Sequence, residues 1–292
     1  MTRESAIIEL GPWWLSPPGR RLLAWEQQCM DRTVVDLFGF HALQIGLPEL
    51  QALRANRMPH RWLALDGVAP VPPEPTMSAP ALAAPREAVL RAHFDALPFA
   101  SGTLDLVVLP HTLELAPDPH DTLREVERVL RPEGRVLLAG FNPLSLWGLR
   151  HGLGRQAGRI GLGGTPLLPG AGEFIGYGRA RDWLRLLGLE IERSQFGLWS
   201  PPWHSERWLQ RCAWMERAGA LTCPRLGGVY LLQAVKRVRG MRLVGLARRQ
   251  RAASARAVLT QRAAPAEEAT MRAPQALDKA APAAFAGGQT IE

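Results

Sequence analysis

His111 is the side chain best placed for chemistry in this chain. It follows the apolar run Thr103–Leu109 after Pro110, so it stands where a strand ends. An imidazole exchanges a proton near neutral pH and could serve as general base toward a hydroxyl or an amine. The plainer alternative is a hydrogen bond at the start of a helix. Glu114, three residues on, could orient such a base or simply favour a helix N-terminus. Gly46 closes a second apolar run, HALQI at His41–Ile45, and Asp66 closes a third, RWLALD from Arg61. Cys29, Cys212 and Cys223 form no CxxC pair and have no His/Cys ligand spacing, which points away from a zinc centre or a disulfide framework. Gly161-Leu162-Gly163 has no strand leading in and no helix leading out. The segment Gly152–Gly172 therefore reads as a mobile loop or lid rather than a phosphate loop.

These residues need a frame, and Leu97–Pro143 supplies its centre. Leu104, Leu106, Val107, Val108 and Leu109 form the near-continuous apolar run of a strand buried on both faces. Asp118 offers an N-cap and Pro119 a first helical position; Leu123, Val126 and Leu130 follow at helical spacing. Pro132 and Gly134 stop that helix, and Arg135–Phe141 reads as the next strand. This is a right-handed βαβ unit of a parallel sheet.

Along the rest of the chain, the pattern predicts a helix over Arg20–Leu37, strands at His41–Ile45 and Arg61–Asp66, and a brief helix at Leu50–Arg57. A Pro/Ala-rich loop follows at 67–85, then a weak strand at Ala88–Phe94. Beyond the central unit come a helix ending at Gly188, a strand at Leu189–Phe196, a helix over Ser205–Arg217 and a last strand at Gly228–Lys236. The Trp208, Cys212 and Met215 stripe of that last helix reads as packing. The fold class is α/β: a doubly wound, Rossmann-like, mostly parallel sheet of seven strands with helices on both faces. Ligands of such sheets lie beyond the carboxyl ends of the strands, and Gly46, Asp66, His93–Asp95 and His111 share that rim.

Charge divides the chain. Residues 1–235 carry 24 Arg, no Lys and 23 acids, whereas residues 236–292 carry 11 basic residues and 4 acids. The excess of +8 thus belongs almost wholly to the end of the chain and does not describe a basic face on the folded part. Two regions follow: a folded domain over 1–237, with its core at about 20–237, and a basic Ala/Arg/Pro-rich tail over 238–292, read as disordered with an optional helix at Met241–Val258. No apolar run reaches the length of a membrane span and no secretory signal opens the sequence, so a cytoplasmic protein without a membrane partner is expected. Nucleic acid is a candidate partner through the tail alone.

At Leu97-Pro98-Phe99, Leu104-Asp105-Leu106-Val107-Val108, Leu113-Glu114, Asp118 and Leu123–Gly134 the chain resembles the class I S-adenosylmethionine-dependent methyltransferases, in particular the type 11 group. The resemblance implies S-adenosyl-L-methionine as cofactor, bound at the carboxyl ends of the first four strands. It places the family's Gly-rich loop at Gln44–Leu50, where Gly46 alone matches. Gln44 stands where an acid is usual, and Pro48 and Leu50 stand where further glycines are. Pro48 has no N–H to donate, and Glu49 would bring a like charge toward the cofactor carboxylate. Asp66 is the acid that would accept the ribose hydroxyls. His93 occupies the position of the family's adenine-binding Asp; Asp95 could take that role, or Phe94 and Leu97 could supply only surface. His111 would border the cofactor, where it could act as a base or only hydrogen-bond at the helix start.

Methyl transfer asks chiefly for alignment of donor and acceptor, worth about 7–11 kcal/mol. The expected function is methylation of a small-molecule acceptor, apolar or planar, between the first helix, the Gly152–Gly172 segment and Trp199–Trp214. The competing reading is a non-catalytic methyltransferase-like binding or scaffolding module that has lost cofactor affinity, with RNA association through the tail as a further variant.

Overall fold

The computed structural model describes residues 12–66, 88–159, 167–168, 174–203 and 205–237. By internal contacts the chain divides into Met1–Arg239 and Gly240–Glu292. The second unit, the Pro/Ala-rich stretch at 67–85 and Gly161–Gly163 lie outside the described residues.

Helix α1 spans Pro17–Val34 and starts earlier than its apolar pattern, because Ser16 caps it. The Ser16 hydroxyl accepts the Gly19 N–H at 3.3 Å, and Pro17 takes a first-turn position where no N–H is needed. Seven strands follow: β1 His41–Ile45, β2 His60–Leu65, β3 Ala88–Arg91, β4 Leu104–Pro110, β5 Leu130–Phe141, β6 Leu189–Gly197 and β7 Val229–Lys236. They form one sheet in the order β3-β2-β1-β4-β5-β7-β6. The first five are parallel, and β7 runs antiparallel to both its neighbours. The expected α/β sheet is present, with its switch in order between β1 and β4.

Between β4 and β5 lie α2, Thr112–Leu115, and α3, Pro119–Val129. Asp118 caps α3 by accepting the N–H groups of His120 and Asp121. After β5 come α4, Leu146–Arg159, and α5, Tyr177–Leu186; α6, Glu206–Arg211, and α7, Trp214–Thr222, precede β7. Alternation along β4 sorts its side chains between two cores. Leu106 and Val108 join α1 on one face, while Leu104, Val107 and Leu109 join α3 and α5 on the other.

Four expectations change. Leu50–Arg57 forms separate turns, since Leu50, Arg54 and Asn56 each donate to the carbonyl three residues back. Strand β5 begins at Leu130 rather than Arg135: Leu130 pairs with Leu104, and the register shifts before Leu106. Pro132 and Gly134 fall in that irregularity, where Glu133 has φ +63°. Gly152–Arg159 is the second half of α4 rather than a lid, and 160–166 and 169–173 lie outside the described residues. Ser205–Arg217 is broken around Cys212 into α6 and α7, and Trp208 is exposed rather than core.

The motif residues earn their places structurally. Glu125 accepts the Leu97 N–H at 2.7 Å, and Arg128 pairs with Glu125 while donating to the carbonyls of Leu97 and Phe99. Helix α3 therefore pins the Leu97-Pro98-Phe99 loop. Asp105 accepts the N–H groups of Phe40 and His41 at 2.8 and 2.9 Å and pairs with Arg131, fixing the entry to β1. Gly39 lies against this carboxylate, and a Cβ there would meet Asp105 Cγ at 2.4 Å. Because Asp105 is tethered on three sides it cannot swing away. Gly39→Ala is expected to cost about 1–3 kcal/mol, read as a lower denaturant midpoint with unchanged slope.

Candidate active site

The carboxyl ends of β1, β2 and β4 and the turn after β3 carry the candidate residues. Gly46 leaves β1 at φ +75° and its N–H donates to Ala64 O, extending the β1–β2 ladder by one bond. Leu47 is also left-handed, at φ +44°. A Cβ on Gly46 would find Phe94 Cζ and Thr112 Oγ1 at 3.7 Å, so Gly46, Phe94 and Thr112 meet at one point. The Thr112 hydroxyl donates to Ile45 O at 2.5 Å, locking the end of β1 to the end of β4. Asp66, buried directly after β2, has a carboxylate oxygen 3.9 Å from His93 Nδ1. The turn His93–Ala96 exposes His93 and Asp95 and buries Phe94 and Leu97. Leu97 packs in the core on the α3 side, and its N–H is taken by Glu125.

Gln44 explains the unusual loop that follows. It is buried, and its amide nitrogen lies 2.7, 2.9 and 3.1 Å from the carbonyls of Leu50, Leu47 and Gly46. Its oxygen accepts the Ala52 N–H at 3.0 Å. The amide thus gathers the loop around itself, a task that a carboxylate, which only accepts, cannot perform. Leu50 is buried in the core, Pro48 is half-buried and Glu49 is exposed.

His111 has φ +53° and is only 2 % exposed. Its Nε2 lies 2.7 Å from Glu26 Oε1 of α1, and its Nδ1 lies 2.9 Å from Glu114 Oε2. The second Glu114 oxygen accepts the Phe141 N–H at 2.6 Å. Burial disfavours the imidazolium, but the Glu26 charge and the hydrogen bonds to both carboxylates outweigh it and raise the His111 pKa to about 10. Burial also pushes the Glu114 carboxyl up, against the pull of His111. His111 therefore holds a proton at neutral pH, and both its nitrogens are engaged. A general base needs a free lone pair, which this arrangement does not offer.

An aromatic column continues from the imidazole. His111, Phe141, Phe174 and His151 stack in sequence at 4.2, 4.8 and 4.2 Å between ring centroids. Trp14 tilts over His111 at 5.8 Å, and Trp13 meets Phe141 edge-on at 6.3 Å. Burial, with Arg155 nearby, lowers the His151 pKa to about 4, so this ring is neutral. Three polar atoms of the assembly are buried without a hydrogen-bond partner among the described residues: Glu26 Oε2, Trp13 Nε1 and His151 Nε2. Sequence reading missed Glu26, Trp14 and His151. The available signal was Glu26 itself, an acid on the same helical stripe as Leu22, Cys29 and Met30.

Known proteins resemble this chain in sequence and in fold. Residues 58–138 match the family model described as a methyltransferase domain. The YafS protein of Escherichia coli K12, itself uncharacterized, is 33% identical over 148 residues, covering 48% of this chain and 52% of YafS. The match thus spans about half the length of that curated relative. A Thermotoga maritima S-adenosylmethionine-dependent methyltransferase, described as a possible histamine N-methyltransferase, superposes with a TM-score of 0.50 at 18% identity, over 80% of this chain and 97% of its own. An S-adenosylmethionine-dependent methyltransferase from Mesorhizobium loti superposes with a TM-score of 0.45 at 13% identity, over 71% and 96%. Residues 58–138 are thus similar to a methyltransferase domain, and the sheet has the fold of S-adenosylmethionine-dependent methyltransferases, whose cofactor is S-adenosyl-L-methionine.

The residues present fit that cofactor unevenly. Asp66 offers a buried carboxylate at the end of β2, Phe94 an apolar wall, and Gly46 a backbone that a ligand can approach. On the methionine side, Pro48 has no N–H, and three loop carbonyls are turned toward Gln44. No helix among the described residues is long and apolar enough to cross a membrane. None of the described residues form a cluster of three or more His, Cys, Asp or Glu suited to a metal.

Proposed function

We propose that the protein transfers a methyl group from S-adenosyl-L-methionine to a small, planar acceptor with a polar edge. One observation carries this reading. The unpartnered Glu26 Oε2, Trp13 Nε1 and His151 Nε2 belong to side chains in or against an aromatic column that starts with His111 at the carboxyl end of β4, next to Thr112. Buried polar atoms without partners are rare in folded proteins, and a ligand that bonds to them relieves their cost. The flat rings of Trp14, Phe141 and Phe174 suit a planar molecule.

The cofactor supplies a carbon activated by a positive sulfur. Asp66 would accept the ribose hydroxyls, and Phe94 would flank the adenosine. Thr112 holds the two strand ends at fixed separation, and the Trp13–Trp14 segment excludes water. Alignment, rather than proton abstraction by His111, then carries the rate. Folded domain 1–237, basic tail 238–292 and a cytoplasmic setting remain part of this proposal; the unpaired thiols of Cys29, Cys212 and Cys223 suit a reducing compartment.

Calorimetry with S-adenosylmethionine and its demethylated product tests the reading. Binding is expected, and Asp66→Ala should weaken it about 10- to 150-fold, the worth of one charge-assisted hydrogen bond. Unchanged affinity in that variant would refute the ribose assignment. Absence of binding at millimolar cofactor would instead favour the non-catalytic module, which the Gln44-tied loop would then explain.

A further inference from the structure

Helix α4 has two unlike faces. Trp147 and His151, one turn apart, are buried, and the Trp147 indole N–H donates to Ser200 O at 2.8 Å. Leu146, Leu149 and Leu153 share another face at helical spacing and are exposed, the last two at 58 % each. Together with Pro201, Pro202 and Trp203 they line an open groove of ≈ 470 Å³. Arg150 of α4 donates to Pro202 O at 3.1 Å, fixing one wall to the other. Trp203 lies against the exposed Trp208, with ring centroids 6.4 Å apart, and the Arg211 guanidinium covers Trp208 at 5.4 Å. Single exposed leucines are ordinary on a protein surface. A continuous stripe of leucine and tryptophan is not.

The charge pattern says what covers this stripe. Between Glu133 and Glu173 the sequence has no acidic residue, and Arg150 and Arg155 both fall on α4. A second copy meeting this face about a two-fold axis would bring these arginines against themselves. A nucleic acid would gain little from the leucines. Exposed leucines on an acid-free, arginine-bearing helix, with tryptophan beside them, suit a helix lying in the plane of an anionic bilayer surface.

We propose that α4 and the exposed Trp203 and Trp208 dock the protein on an anionic lipid surface, as a peripheral contact that crosses no membrane. This inference stands apart from methyl transfer, and its test needs no cofactor. Sedimentation of the full chain with phosphatidylcholine vesicles, with and without phosphatidylglycerol, measures it directly. Binding is expected to phosphatidylglycerol-containing vesicles and to fall with added salt. Leu149→Glu combined with Leu153→Glu should reduce that binding about tenfold or more, while the melting temperature stays near that of the unaltered protein because both sites are exposed. The variant keeps residues 238–292 intact, so undiminished binding would assign the contact to the basic tail and overturn the proposal. No vesicle binding by the unaltered protein would overturn it too. So would a dimer in sedimentation velocity that the double variant splits, or RNA retention that the double variant abolishes.

Discussion

His111→Gln is expected to destabilise the protein by about 3–5 kcal/mol, the cost of breaking a buried ion pair by removing one partner. Glu26 and Glu114 would remain in the core at 1 % and 6 % exposure, facing a neutral amide in place of a cation. The pH dependence identifies the cause. In the unaltered protein the folded-state pKa of His111, about 10, lies above its ordinary value of 6.5. The stability it contributes is therefore complete below pH 6.5 and is lost as pH rises through about 10. The variant should lack that alkaline loss. Glu114, already pushed up by burial, would lose the cation that holds it down, so the folded variant takes up protons more readily than the unfolded chain. Its stability should rise as pH falls toward the carboxylate range. Urea titrations from mildly acidic pH up to about pH 10 measure both effects. Adding Glu26→Gln to His111→Gln should restore part of the loss; if the double variant is no better than the single one, the charge cluster is not the source. In turnover, a pH profile without a limb near neutrality is expected, because His111 does not titrate there.

The sheet was legible because its signals are local. The apolar run of β4, the Asp118 cap and the Leu123–Val126 spacing each specify one element, and each is where the pattern puts it. Errors arose where a distant partner decides. Leu50–Arg57 has helix-like composition but is gathered into turns by Gln44 and Asn56, the latter donating to the carbonyls of Val34 and Leu37. Gly152, Gly154 and Gly158 suggested a loop, yet Trp147 and His151 anchor that stretch as a helix, and packing outweighs the intrinsic penalty of about 1 kcal/mol per glycine. The site was legible by rim rather than by role. Gly46, Asp66, Phe94 and His111 do lie at the strand ends, but the partners of His111 come from α1, 85 residues earlier, and from α2. No spacing rule joins positions so far apart. The motif that named the family is an architectural device: Glu125 and Arg128 secure the loop, and Asp105 secures the start of β1, so its presence attests to fold more than to chemistry.

Gln44 is where fold and chemistry compete most directly. Restoring the family's usual acid, Gln44→Glu, should not restore a family-like loop. The change replaces a donor that faces three carbonyl oxygens at 2.7, 2.9 and 3.1 Å with a carboxylate oxygen that repels them. Each buried acceptor left without a donor costs about 1–3 kcal/mol, and the buried charge adds to it. The expected loss is about 3–5 kcal/mol, seen as a lower urea midpoint. Gln44→Met, of similar shape, removes the hydrogen bonds without adding charge, so it should lose less, even though a carboxylate could still accept the Ala52 N–H and the thioether cannot. Cofactor calorimetry supplies the second readout. If the tie to Gln44 sets the loop, neither variant gains affinity, because Pro48 still offers no N–H and Leu50 remains committed to the core. A Gln44→Glu protein as stable as the original and tighter for S-adenosylmethionine would show the opposite: a loop free to turn its N–H groups outward, with Gln44 a bystander to its shape.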